Sequence, residues 1–173
     1  MQDPQRKRGF TLIELVVVVS ILAVLSGVLV PRIRGHVEAT RDAERLDDLK
    51  TIRNAIEQFL MDRGTLPGAS GNSKYGGWDV SHDGDFIAEL VDAGYLDAMP
   101  TDPVNDEIFH YRYYVYEPGA YDCKGGSKYY VLGIKAFENE TFAAQNHGFF
   151  RCDGRDWSRE FAFVTGGGPQ LRR

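Results

Sequence analysis

What this chain has little of narrows the field first. Lysine and arginine number 20 against 25 aspartates and glutamates, a net charge of -5, so a broadly basic nucleic-acid-binding surface is excluded. The four histidines, His36, His82, His110 and His147, are scattered and match no metal-ligand spacing such as HExxH. No serine, cysteine or carboxylate constellation points to catalysis, so no enzyme activity is expected. The glycine run at 166–168 lacks the lysine of a phosphate loop and any following helix. Cysteine is scarce, with Cys123 and Cys152 alone. If they are exported, a disulfide is the default and contributes roughly 3–4 kcal/mol on the loop-entropy model. If they stay in the cytosol, they are two separate buried thiols. Aromatics are plentiful, 10 Phe, 9 Tyr and 2 Trp, mostly after residue 74, which argues for a packed domain there.

Long apolar runs are scarce too, and the single one is unusual. From Phe10 to Val30 only Thr11, Glu14, Ser20, Ser26 and Gly27 depart from apolar types. As a helix the run is about 31 Å long, one bilayer core. Arg6, Lys7 and Arg8 precede it and favour a cytoplasmic N-terminus; Arg32 and Arg34 weaken that preference. A cleavable secretory signal needs a shorter core and a small-x-small site, and LSGVLVPRI offers a poor one. An ordinary signal anchor fits the length but leaves Glu14 without a reason, at a cost of roughly 2.5–3.5 kcal/mol in mid-membrane. Cleavage between Gly9 and Phe10 supplies one. It removes the basic leader, keeps the helix and creates an α-amine at Phe10 that can approach Glu14 of a neighbouring copy. Such a pair adds little net stability but penalises wrong registers, which leave the carboxylate unpaired.

The stretch GFTLIELVVVVSILAVLSGVLVPRI resembles the N-terminal signature of type IV prepilins and type II secretion pseudopilins. The resemblance implies a dedicated inner-membrane aspartic peptidase that cuts after Gly9 and N-methylates Phe10. It implies that Glu14 acts in assembly and that Pro31 kinks the helix. The implied partners are further copies in a helical filament, that prepilin peptidase, an inner-membrane assembly platform, minor pilins and the membrane. The implied location is a single pass through the cytoplasmic membrane with the head outside, then a periplasmic or cell-surface filament. A looser similarity over residues 38–136, carried by LVDAGYL and TDP, tilts toward pseudopilins; the cysteine pair tilts toward pilins. Major pseudopilins often bind calcium in a late acidic loop. Here ENETFAAQNHGFFRCDGRDWS carries Glu138, Glu140, Asp153 and Asp156 without the usual spacing, so no cofactor is expected and calcium stays as the alternative.

The expected organisation is a leader at 1–9, a transmembrane and assembly helix at 10–30, an amphipathic arm at 31–63, a head at 64–165 and a flexible tail at 166–173. In the arm, Ile33, Val37, Leu46, Leu49, Ile52, Ile56, Phe59 and Leu60 recur mostly at helical spacing, with Arg41, Asp42, Arg45 and Asp48 among the charged residues between them. Gly64 is the expected helix stop, and Pro31 and Gly35 the expected points of bending or local melting. In the head, 64–80 reads as a loop. DGDFIAELVDAGYL reads as a short helix capped by Asp83 or Asp85, with Phe86, Ile87, Leu90 and Val91 on one face and Gly94 at its end. EIFHYRYYVYEP, KYYVLGIKAF and EFAFVT read as strands. The fold class is therefore α+β: a long N-terminal helix on a small antiparallel sheet. Tyr114 and Tyr116 should share one sheet face, with Tyr111 and Tyr113 on the other, as packing rather than as a glycan-binding stripe. Asn139-Glu140-Thr141 matches a glycosylation acceptor only by a short motif.

The function these features imply is a structural subunit of a pilin-like filament, with the pseudopilus favoured over a surface pilus for adhesion, motility or DNA uptake. The alternative from another class is a membrane-anchored binding domain that never polymerises.

Overall fold

The computed structural model describes residues 10–168, without the side chains of 28–32. Gly9, the side chain of Pro31 and the tail beyond Gly168 thus lie outside the described residues. The chain divides into two compact units, residues 1–37 and 38–173. Helix α1 runs Leu12–Arg63. It is assigned as helix through 31–35, so the local melting expected there is not seen. Among the described residues no helix is long and apolar enough to cross a membrane. The apolar run needs residues 28–30 to complete it, and their side chains are among those not described.

In the first unit every described apolar side chain of the run is exposed, from Val16 at 48% to Phe10 at 91%. In the second unit the same types of side chain are spaced to face inward. Leu49, Ile52, Ile56 and Phe59 of α1 are buried against Tyr111, Tyr113, Tyr130, Leu132 and Ile134. The helix ends where Gly64, at φ +71°, bends the chain and donates its N–H to the Leu60 carbonyl at 2.9 Å.

The head's main sheet has strands β1 (Asp79–Val80), β2 (Tyr111–Tyr116) and β3 (Tyr129–Ile134), and closes with β6 (Phe163–Gly167). The order is β1-β2-β3-β6 and all pairings are antiparallel, with Tyr113 opposite Leu132 and Val131 opposite Gly166. The α+β architecture is as expected. Its details correct the reading of single segments. β1 lies in the stretch read as loop. β2 starts later than EIF because Asp106 accepts the N–H groups of Ile108 and Phe109, both at 2.8 Å, and turns the chain there. β6 runs on through Gly166 and Gly167, which were expected to open the tail.

Between β1 and β2 the short helix shrinks to α2 (Glu89–Asp92). Its N-cap is Ala88, so neither Asp83 nor Asp85 caps it. No side chain caps it; in the turn just before it, the Asp79 carboxylate accepts the N–H of Ile87 at 3.0 Å, a residue held at φ +39°. Gly94 ends the turn, as expected, at φ +78°. Beyond β3 come α3 (Glu140–Gln145) and a second two-stranded sheet, β4 (Arg151–Cys152) with β5 (Arg155–Asp156). The sequence reading placed neither. Asn139 is the N-cap of α3, its side chain accepting the Phe142 N–H at 2.9 Å, and that capping role accounts for the residue in the short NET motif.

The tyrosines alternate as expected. Tyr111 and Tyr113 join the α1 face, while Tyr114 and Tyr116 pack with Trp78, Trp157 and Phe161 on the other. Their hydroxyls are used internally: Tyr111 donates to Asp48 Oδ2 at 2.7 Å and Tyr113 to the Pro67 carbonyl at 2.9 Å.

Candidate assembly site and the buried ion cluster

The start of α1 is built from a four-residue device. Glu14 N–H donates to Thr11 Oγ1 at 3.3 Å, and Glu14 Oε2 accepts from the Thr11 N–H at 2.9 Å and the Thr11 hydroxyl at 2.8 Å. This is a reciprocal capping box, which satisfies donors that every helix N-terminus otherwise leaves unpaired. The T-x-x-E spacing was legible in the sequence, yet Glu14 was read only as a partner for another copy. The two roles are compatible. Both bonds from Thr11 go to Oε2, and a carboxylate has lone pairs for further donors. Phe10, next to the cap, is 91% exposed. It opens a helix whose described apolar surface the chain leaves bare. Burying a valine, leucine or isoleucine completely is worth about 1.5–3 kcal/mol. A surface of this kind therefore demands an apolar environment from outside the chain.

Inside the head, the missed residues are charged. Asp42 and Arg45 read as part of the polar face of α1, but both are fully buried, with Asp102 at 3% exposure. Arg45 donates Nε and Nη2 to the two oxygens of Asp102 at 2.8 and 3.0 Å, and Nη1 to Asp42 at 2.6 Å. Asp42 in turn accepts the N–H groups of Glu138 and Asn139 at 3.1 and 2.8 Å. Arg41 pairs with Glu138. Burial alone would lower the Arg45 pKa, but its bonds to Asp102, Glu138 and Asp42 outweigh that and raise it. The guanidinium is therefore a permanent charge that ties α1 to the TDP turn and to the segment before α3. The signal was Asp102 in TDP, but only packing could reveal its partner.

Other anticipated residues fall as follows. Cys123 and Cys152 are bridged, with Cα atoms 4.8 Å apart. The histidines are less scattered than they read. His82 and His110 have ring centroids 4.9 Å apart, and Tyr75 Oη lies 2.8 Å from His82 Nε2. Arg112 Nε donates to His110 Nε2 at 2.9 Å, so His110 is neutral, its pKa pushed down to about 4 by burial and then by Arg112. Among the described residues no group of three or more His, Cys, Asp or Glu side chains is placed to hold a metal ion, the late acidic loop included.

With this geometry established, known proteins give it a setting. Residues 4–30 match the prokaryotic N-terminal methylation motif. The chain is 36% identical over 63 residues to type II secretion system core protein G of Klebsiella pneumoniae, covering 36% of this chain and 45% of that protein. It is 28% identical over 112 residues to the protein of the same name from Vibrio cholerae, covering 65% and 61%. It is 31% identical over 84 residues to type IV major fimbrial protein FimA of Dichelobacter nodosus, covering 47% and 51%. The chain thus spans about half the length of these relatives. No solved structure matches it. The motif and the relatives support a type IV pilin or pseudopilin, and the long helix followed by a small antiparallel sheet agrees with them.

Proposed function

We propose that this chain is a structural subunit, not an enzyme, of a type IV pilin-like filament, with the type II secretion pseudopilus favoured. A prepilin peptidase cuts between Gly9 and Phe10 and methylates Phe10. The trimmed subunit is held in the cytoplasmic membrane by residues 10–30, with its head outside. An assembly platform and minor pilins then move it into a polymer, periplasmic for a pseudopilus and on the cell surface for a pilus. The polymer core is made of the same apolar residues, the Phe10 amine and a neighbour's Glu14 set the stagger, and Pro31 bends the helix. The observation that carries this reading is the bare apolar surface of α1 with one carboxylate set in its first turn. The match to a fimbrial protein over about half its length keeps a surface type IV pilus as the second reading.

The test is Glu14→Val in the full chain, produced alongside its own assembly machinery. Membrane insertion should be unchanged, since the helix becomes more apolar, while filaments should be lost. Intact mass of the wild-type protein should show loss of residues 1–9 and one added methyl group. Filaments of wild-type yield from Glu14→Val would overturn the proposal in favour of a tethered, non-polymerising binding domain.

A further inference from the structure

The head carries two surface patches of opposite charge at opposite edges of its one main sheet. Beside β6, a groove of about 780 Å³ is lined by Arg53, Met61, Tyr130, Phe149, Arg151 and the backbone of residues 165–168. Met61 is 75% and Phe149 63% exposed, the two barest large apolar side chains of the head. Glycine lets β6 pack closely along the groove's edge. A Cβ on Gly166 would stand 2.6 Å from both the Phe150 ring and the Tyr130 carbonyl. The groove wall is firmly held: Phe150 packs on Trp157 at 5.5 Å, and Cys152 is bridged to Cys123. Glu57 is taken up by Arg53 Nε at 2.9 Å. Arg151 lies over Phe149 at 5.3 Å and has no ion pair among the described residues. The groove is therefore about half apolar; Arg53 is matched by Glu57, Asp156 opposite Arg151 is paired with Arg159, and Arg151 is left as the cation open to an outside carboxylate.

At the β1 edge the signs reverse. From Gly64 to Tyr111 the sequence has one cation, Lys74, which pairs with Glu107; the next, Arg112, lies opposite Val80 of β1 and is turned onto His110 and the Tyr75 ring. Asp83, Asp85 and Asp106 are exposed there, beside Ile108 at 59% exposure. The two segments meet in space, because Ser81 Oγ donates to Asn105 Oδ1 at 2.9 Å.

We propose that the acidic, apolar β1 edge of one copy docks in the cationic, apolar groove of the next. β2 and β3 lie between the two edges, so one head cannot close this contact on itself. Two copies can, and each dimer still shows one unused patch of each kind. A contact of that heterologous type propagates, closing into a ring or running on as an open helical polymer according to the rotation between copies. The occupant is a second copy because this chain itself supplies the matching charge and the matching apolar side chain. The contact rests on the filament reading above and adds a second, head-level register to it.

The test is charge reversal in the full chain. Arg151→Glu and Asp85→Lys, both at exposed positions, should each lower filament yield about tenfold, as opposed charges across an interface become like charges. The double variant should restore it. Ile108→Ser should lower yield without altering its salt dependence. Thermal transitions of all variants should match wild type. Normal filaments from both reversals, or no rescue in the double variant, overturns the contact; the second result means the groove serves another acidic protein. If Glu14→Val stops assembly while Arg151→Glu does not, the head contact is wrong and the filament reading stands. Absence of any wild-type polymer removes both.

Discussion

Two stretches of one helix, Leu12–Leu25 and Leu49–Phe59, are built from similar aliphatic side chains and finish in opposite environments. In the first, Leu12, Leu15 and Leu22 are 82%, 62% and 57% exposed; in the second, Leu49, Ile52 and Phe59 are at most 2% exposed. Spacing makes the difference. The second stretch is apolar only every third or fourth residue and presents one stripe to a sheet. The first is apolar on all sides, and a single stripe cannot satisfy it. The head carries its own core, while the N-terminal half of α1 depends on surroundings that the chain does not supply.

Four changes would break or sharpen that contrast, taken from the largest effect to the smallest. Arg45→Ala leaves Asp42 and Asp102 buried without their cation, and breaking such a pair costs about 3–5 kcal/mol. The head's thermal transition, followed by near-ultraviolet circular dichroism of the full chain in detergent, should fall by many degrees while insertion into membranes is untouched. A shift within error would show that the cluster is not what holds α1 to the head.

Replacing Cys123 and Cys152 together by serine should cost roughly 3–4 kcal/mol on the loop-entropy model, again in the head alone. Reducing agent on the wild type should move the transition by a similar amount; an unchanged midpoint in both would contradict the expectation.

Asp79 sharpens the contrast through pH. Burial raises its pKa from 3.8 to about 6, against the bonds it accepts from Ile87 and Ser70. The folded state therefore holds its proton more tightly than the unfolded one. The associated stability is complete below pH 4 and is lost as pH rises through 6. His110 acts oppositely, since its lowered pKa removes stability as pH falls from 6.5 toward 4. Asp79→Asn should remove the Asp79 contribution and leave that of His110 and the other titrating groups in place. Subtracting the two stability-pH profiles should give a decline with rising pH between 4 and 6, and a flat difference would refute the assignment.

The smallest effect is at the other end. Thr11→Val removes the capping box and should cost about 1 kcal/mol at the helix start. Amide exchange of the first helical turn should speed up by about fivefold, the factor that corresponds to roughly 1 kcal/mol. The head transition should not move. If it did, the two regions would be less independent than their packing suggests.

The features legible in the sequence are those with a short-range cause. The apolar stripe of α1, its stop at Gly64, the alternation of Tyr111 to Tyr116 and the stop at Gly94 all follow from local geometry. The misread ones depend on distant partners. Asp42 and Arg45 looked solvated because their polarity was visible and Asp102, far along the chain, was not yet beside them. Asp83 and Asp85 looked like caps because they precede an apolar run, but the helix starts later, after a turn that Asp79 of β1 holds through the Ile87 N–H. At the N-terminus the capping box was local and still overlooked, since Glu14 already had an attractive reading.

The sequence by itself determined that this chain has one segment unable to bury its own surface, and where that segment begins, because hydropathy and capping are properties of neighbouring residues. Only the tertiary structure decided which charges are interior, which histidines meet and where the two oppositely charged patches lie. Burial and juxtaposition arise when residues separated by many tens of positions pack together, and no local pattern encodes that distance.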